Sequence, residues 1–208
     1  IDMDMIQKMH SSELYLPDDE AIMRQQSACL ELQYDYNQTR PNEGARRREL
    51  LEQMFAEIGE NCYIEPPLHA NWAGHFVHLG RNVYANFCLT LVDDAPIYIG
   101  DYTMIGPNVT IATGSHPISP ELRERNYQYN VSVHIGRVCW LGAGVIVLPG
   151  VTIGDGSVIG AGSVVTRDIP AGVVAVGNPC RVVRRINDED RKTYFHGRQI
   201  PRELLEDK

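Results

Sequence analysis

His116 is the side chain in this sequence best suited to move a proton near neutral pH. It stands in Thr113-Gly-Ser-His-Pro117, where a regular beat of branched residues and glycines stops. An imidazole, with an unperturbed pKa of about 6.5, can take the proton of an alcohol as that alcohol attacks an electrophile. The stretch that follows, up to about Val133, carries no repeat, and such a loop on a regular body is usually functional or disordered. On its own, a loop histidine is more often incidental than catalytic. A second group stands out by charge. Arg167, Arg181, Arg184 and Arg185 form a basic cluster in a chain of net charge -8, and phosphates are held by such guanidinium groups, often through two bonds at once. The alternative is an ordinary solvated face.

The elements that position these residues follow from periodicity. Ile135, Leu141, Val147, Ile153, Ile159, Val165 and Ala171 are each six apart, and glycine follows directly at Gly136, Gly142, Gly154, Gly160 and Gly172. The beat is present earlier at Ile99-Gly100, Ile105-Gly106 and Ile111, and more weakly at Leu79-Gly80, Ala85 and Leu91, with two extra residues near Asp93 to Pro96. A period of six fits neither a helix of 3.6 residues per turn nor a two-residue strand alternation. It fits a coil with three short flat sides, about 18 residues around, whose corners need turn-formers and whose turns stack about 4.8 Å apart. Seven hexads in phase argue against a Val- and Gly-rich sandwich with accidental spacing.

Before the repeat, Asp18 to Tyr36 has no Gly or Pro and opens on acidic residues, which predicts a helix. Asn37 to Asn42 reads as a turn. Leu50, Leu51, Met54, Phe55 and Ile58 recur at helical spacing, which predicts a second helix over Glu43 to Ile58 with Gly59 as its stop. After the repeat, a short helix is expected near Asn187, followed by a loose tail. The chain therefore divides into a helical segment at 1–60, a coil domain at 61–186 with a projecting loop at 113–133, and a tail at 187–208.

The acidic balance argues against non-specific binding to nucleic acid or anionic membrane. Five scattered cysteines without a CxxC pair suggest reduced thiols in a cytoplasmic protein rather than a zinc site or a disulfide framework. Ile1 to His10 lacks the apolar core of a secretory signal, and no apolar run is long enough to span a membrane.

The hexad of a branched residue, Gly and a small residue resembles that of the hexapeptide-repeat acyltransferases, whose fold is a mainly β, left-handed parallel β-helix. A narrower likeness lies in Val83-Tyr-Ala-Asn-Phe87, Val92-Asp-Asp94, Asn108-Val-Thr-Ile111, His116-Pro117, Pro149-Gly-Val-Thr-Ile-Gly154 and Gly177-Asn-Pro-Cys-Arg181. Together these strings resemble the maltose and galactoside O-acetyltransferases over nearly the whole chain. The resemblance implies that acetyl-CoA is the co-substrate, a sugar hydroxyl the acceptor, His116 the base and a homotrimer the assembly, with no metal required. It places Asn71, Tyr84, Asn86 and Asp94 around the acceptor, where carboxylate and amide groups suit a polyol. Asp93 and Asp94 also fit a simple turn. Ala143, Ala161, Thr166 and Arg167 are implied along the pantetheine arm, with Arg181 and Arg184 at the nucleotide phosphates. Trp140 reads as a groove wall or a subunit contact.

This chain departs from the pattern around the acceptor. Asp18 is a shifted candidate for an acidic acceptor ligand, Gln26 stands where an Arg is expected, and Gln128 replaces a Met of the galactoside enzymes. The identity of the sugar is what these changes affect. Serine, an antibiotic hydroxyl or a lipo-oligosaccharide sugar are the rival acceptors, and a non-catalytic trimeric β-helix scaffold is the rival from another class. A zinc enzyme like the γ-class carbonic anhydrases would use His75, His78 and His116, whose spacing does not reproduce that family. Of the remaining histidines, His10 and His196 near the ends read as solvent-facing, and His69 and His134 as surface or packing residues.

Overall fold

The computed structural model describes residues 4–205. Its body is a parallel β-helix of about six turns, with three flat sides. The first side stacks Glu57–Ile58, Val77–Leu79, Ile97–Ile99, Val133–Ile135 and Thr152–Ile153. The second stacks Tyr63–Ile64, Tyr84–Ala85, Met104–Ile105, Trp140–Leu141, Val158–Ile159 and Val173–Val176. The third stacks Leu68–Ala70, Leu89–Val92, Thr110–Ala112, Ile146–Val147 and Val164–Val165. All these pairings are parallel, for example Ile99 with Ile135 and Ile135 with Ile153.

The hexad residues Ile135, Leu141, Val147, Ile153, Ile159 and Val165 point inward and are at most 3% exposed. Each such side chain contributes about 1.5–3 kcal/mol by leaving water. Glycine at the corner after them is a matter of space. A Cβ on Gly100 would lie 2.5 Å from the backbone N of Arg137 in the next turn, so any larger residue would push the turns apart. One residue of the expected column is corrected. Ala171 is exposed, and Ile169 takes the inward place, pairing with Ile153. The last turn is two residues short of the hexad count, and within it Asp168 accepts the N–H of Thr152 at 2.8 Å.

The ends of a parallel stack expose unpaired backbone groups. Helix α1 (Met5–Met9), helix α2 (Glu20–Asn37) and helix α3 (Gly44–Met54) gather at one end. From α2, the Asn37 amide accepts from Leu68 N and donates to Leu68 O, both at 2.8 Å, and Gln33 Oε1 accepts from Ala70 N at 2.7 Å. Side chains of the helix thus complete the ladder that the first turn leaves open. Tyr36, Leu50, Leu51, Met54 and Phe55 close the core above it. The expected helix over Glu43 to Ile58 is corrected: α3 ends at Met54, and Glu57–Ile58 is already a strand of the first side. Helical spacing carried through Ile58 because a strand residue facing the same core repeats the same apolar signal. Gly59 is therefore a corner of the coil, against Gly80 and Arg81. At the far end Val173–Val176 turns back and pairs antiparallel with Arg181–Arg185. Beyond it, the expected short helix is a single 3₁₀ turn, Asp188–Arg191, capped by Asn187, and Thr193–Tyr194 then pairs with Arg198–Gln199.

Candidate active site

Three successive turns meet at the corner between the third and first sides. Leu68–Ala70 leads into Asn71 and Trp72, Leu89–Val92 into Asp93 and Asp94, and Thr110–Ala112 into Thr113 and the loop. The two extra residues seen in the sequence at Asp93 to Pro96 make room here for two carboxylates. Asp93 is buried and accepts the backbone N–H groups of Trp72 at 2.8 Å and Gly74 at 2.9 Å. Burial pushes its carboxyl up to about 7, against the pull of those bonds. Thr113 Oγ1 stitches the next turn on, donating to Val92 O and accepting from Ala95 N. Asp93→Ala would leave two N–H groups unpaired at about 1–3 kcal/mol each, partly offset by relief of the buried charge. A net loss of about 2 kcal/mol is expected, read as a Tm lower by roughly 4–8 °C.

Asp94 is 6% exposed and is held by Asn71 Nδ2 at 2.9 Å and the Trp72 indole N–H at 3.3 Å. Burial raises its pKa, and these two donors pull it back toward the ionised form. A Cβ on Gly114 would lie 3.4 Å from Asn130 Oδ1 and 3.6 Å from Asp94 Oδ2. Both polar groups therefore lie against the backbone two residues before His116.

The loop carrying His116 is built rather than structureless. Gly114–Ser115 pairs antiparallel with Tyr129–Asn130, and helix α4 (Pro120–Glu124), capped by Ser119, fills the bend. His116 is exposed, with Nδ1 3.4 Å from the carbonyl oxygen of Tyr127. A carbonyl only accepts, so this contact favours the proton on Nδ1 and leaves Nε2 with its lone pair free to act as a base. Asp18 approaches the same loop, with Oδ2 3.5 Å from Asn126 Nδ2. Tyr15 pairs across the backbone with Gln128, and the Gln128 side-chain amide bonds the Tyr15 hydroxyl. Asn71, Asp94, Asp18, Gln128 and His116 thus gather at one edge. Trp72, Asn130 and Tyr15 belong there too, though no pattern in the sequence marked them.

Tyr84 and Asn86 lie elsewhere, on the second side and at its corner with the third. Asn86 donates its N–H to Ile105 O at 2.9 Å, and its Oδ1 accepts from Phe87 N at 2.8 Å. Above it, glycines let successive turns close up: Cβ atoms on Gly106 and Gly142 would lie 2.8 and 2.7 Å from the N atoms of Ala143 and Ala161. Asn86, Ala143 and Ala161 therefore share one edge. Ala143 and Ala161 are exposed and, among the described residues, neither donates its N–H to a backbone acceptor. An extended amide-bearing ligand would find donors there one turn apart. Tyr84, Met104 and Trp140 stand in register beside this edge, 40%, 57% and 55% exposed.

Thr166 and Arg167 return to the edge of His116, following Val164–Val165. Arg181 and Arg184 lie on the antiparallel strand. Arg184 is not a free cation: Asp190 accepts from both its terminal nitrogens, at 2.8 and 2.7 Å, and this pairing holds the Asp190 carboxyl at about 2. The sequence suggested a cluster of open positive charge, and the pairing reduces it. A side of about six residues at ~3.3 Å per residue is on the order of 15–20 Å wide. The candidate residues consequently form two half-sites on different edges of one chain. Of the other histidines, His78 and His134 sandwich Tyr98 on the first side at ring separations of 4.7 Å, and His10 and His75 pack edge-on against Phe76. Among the described residues, no three or more His, Cys, Asp or Glu side chains converge as metal ligands.

Two family models match the chain: the maltose acetyltransferase hexapeptide capping motif over residues 8–59, and the bacterial transferase hexapeptide over 132–167. The galactoside O-acetyltransferase of Lactococcus lactis subsp. lactis (strain IL1403) is 54% identical, over 95% of this chain and 96% of its own. The chain belongs to the galactoside and maltose O-acetyltransferase family. The galactoside O-acetyltransferase of Escherichia coli (strain K12) is 45% identical, over 94% of this chain and 96% of its own. Among solved structures, a galactoside acetyltransferase in complex with coenzyme A superposes with a TM-score of 0.93 at 44% identity, covering 96% of this chain and 100% of the other. A maltose O-acetyltransferase from Clostridium difficile 630 superposes with a TM-score of 0.87 at 42% identity, covering 89% of this chain and 98% of its own. The parallel β-helix is thus shared with both of these structures.

Proposed function

We propose that this protein transfers the acetyl group of acetyl-CoA to a hydroxyl of a maltose-, glucose- or galactoside-type sugar. The observation that carries the reading is His116, its Nδ1 turned to a carbonyl, beside a buried Asp94 held by Asn71 and Trp72. A carboxylate and amides suit a polyol, and an imidazole with a free Nε2 suits removal of a hydroxyl proton. The edge bearing Asn86, Ala143 and Ala161 suits the pantetheine arm, with backbone N–H groups available to its amides. The two half-sites combine when the Asn86 edge of one copy abuts the His116 edge of the next, in a homotrimer.

In the reaction the sugar oxygen attacks the thioester carbonyl while His116 Nε2 takes its proton. Donors in the groove stabilise the tetrahedral oxyanion. The carbon–sulfur bond then breaks, and the imidazolium returns the proton to the departing sulfur, giving the sugar ester and the free thiol of coenzyme A. The transfer uses no acyl-enzyme, and no serine or cysteine is set in a nucleophile motif. Free thiols at all five cysteines are in keeping with a cytoplasmic location.

Thiol release from acetyl-CoA, measured with glucose, maltose, galactosides, serine and chloramphenicol, tests the reading. Release with the sugars is expected. Turnover of serine or chloramphenicol alone would replace the sugar acceptor. Silence with every acceptor and no acetyl-CoA binding would favour a scaffold.

A further inference from the structure

Gln128 stands at the acceptor edge with its amide already engaged. Its Nε2 donates to the Tyr15 hydroxyl and lies 3.5 Å from Asn130 Oδ1. A primary amide has two donor hydrogens and one acceptor oxygen. With Nε2 turned to those two oxygens, Oε1 is the end left over, and among the described residues it has no hydrogen-bond partner. Tyr15 is itself fixed. It is 1% exposed, sits in a small core with Met9, Ile22 and Trp72, and its oxygen also accepts from Asn130 Nδ2 at 2.9 Å. Asn130 Nδ2 in turn donates to Met9 O at 2.9 Å, so the N-terminal segment and the loop strand share one network. Burial pushes the Tyr15 phenol up to about 12, which keeps it neutral throughout the working range.

We propose that Tyr15 is a positioning residue of the acceptor site, orienting the Gln128 amide so that its Oε1 accepts a hydrogen bond from one hydroxyl of the sugar. Without the phenolic oxygen the amide is free to turn, and either end then faces the pocket. The acceptor class that fits is a sugar carrying a free hydroxyl at that place, beside the hydroxyl that His116 deprotonates. An analogue that is deoxy or alkylated there lacks the donor. The inference rests on the sugar acetyltransferase reading. Wild-type turnover of at least one sugar is therefore established first, and its absence would sink that reading and not the geometry of Gln128.

The experiment compares Tyr15→Phe, Gln128→Ala and the double variant, using the best sugar and its monodeoxy analogues, with the Tm of each recorded. Tyr15→Phe keeps the ring and the backbone pairing and removes only the hydroxyl. The acceptor KM is expected to rise about 5- to 20-fold in Tyr15→Phe and in Gln128→Ala, with kcat and the acetyl-CoA KM within about two-fold, as loss of one ground-state hydrogen bond predicts. The double variant is expected to match Gln128→Ala, because residues acting through one contact are not additive. For one deoxy analogue the penalty of both substitutions should vanish. An unchanged acceptor KM in Tyr15→Phe, or penalties that multiply in the double variant, would overturn the proposal. So would a fall in kcat alone, which would place the effect on the His116 loop. If Tyr15→Phe proves too unstable to assay, Gln128→Ala across the deoxy series decides: an equal penalty for every analogue overturns the assignment of Oε1.

Discussion

Replacing His116 by Ala is expected to lower kcat by about 10²- to 10⁴-fold, the range a positioned general base supplies, while the KM values for acetyl-CoA and sugar change little. The split follows from where the side chain sits. His116 is exposed at the lip of the corner, and among the described residues its side chain bonds the Tyr127 carbonyl alone. Among the described residues it belongs to neither core cluster, and truncation leaves Asp94, Asn71 and the edge with Ala143 in place. Binding groups therefore survive and only the proton acceptor is lost, so stabilisation made in the transition state disappears while uniform binding stays. Steady-state kinetics on both proteins measure this. A His116→Ala enzyme that keeps its kcat, or one whose acetyl-CoA KM rises in step with the lost rate, would remove His116 from the proton transfer.

Much of the body could be read from residues because a β-helix writes its geometry into a local period. Ile135, Leu141 and Val147 each face the core once per side, so spacing alone reveals sides, corners and inward faces. The reading failed where the period was borrowed or broken. Ile58 matched the helix before it only because both face the same core, and Ala171 kept the count although the last turn is two residues shorter. The site was legible where chemistry is rare in the surrounding composition: one histidine at the end of the hexads, two aspartates where residues are inserted. Tyr15 and Asn130 carried no such mark. Their place at this edge comes from a pairing between residues more than a hundred positions apart, which no local pattern contains. Arg184 shows the converse, since charge was visible in the sequence and its neutralisation by Asp190 six residues on became plain only in the fold.

The proposed division of the site between two edges has a consequence that no single substitution displays. His116→Ala and Asn86→Ala preparations should each be nearly inactive, and mixed trimers made from equal amounts of both should regain activity. In a ring of head-to-tail contacts each junction takes the Asn86 edge from one copy and the His116 edge from the next. A doubly tagged trimer holds two copies of one variant and one of the other, so an intact Asn86 meets an intact His116 at one junction in each, about a third of the junctions. Co-expression of the two variants with different tags, followed by purification of doubly tagged trimers, gives the material, and activity per trimer gives the fraction. The rise from near zero to about a third of wild type does not depend on how strongly either residue acts, only on their belonging to different chains. If both groups served a site within one chain, every copy in the mixture would still lack one of them, and mixing would restore nothing. That result would leave the width of the third side unexplained, because Asn86 and His116 lie at its opposite corners.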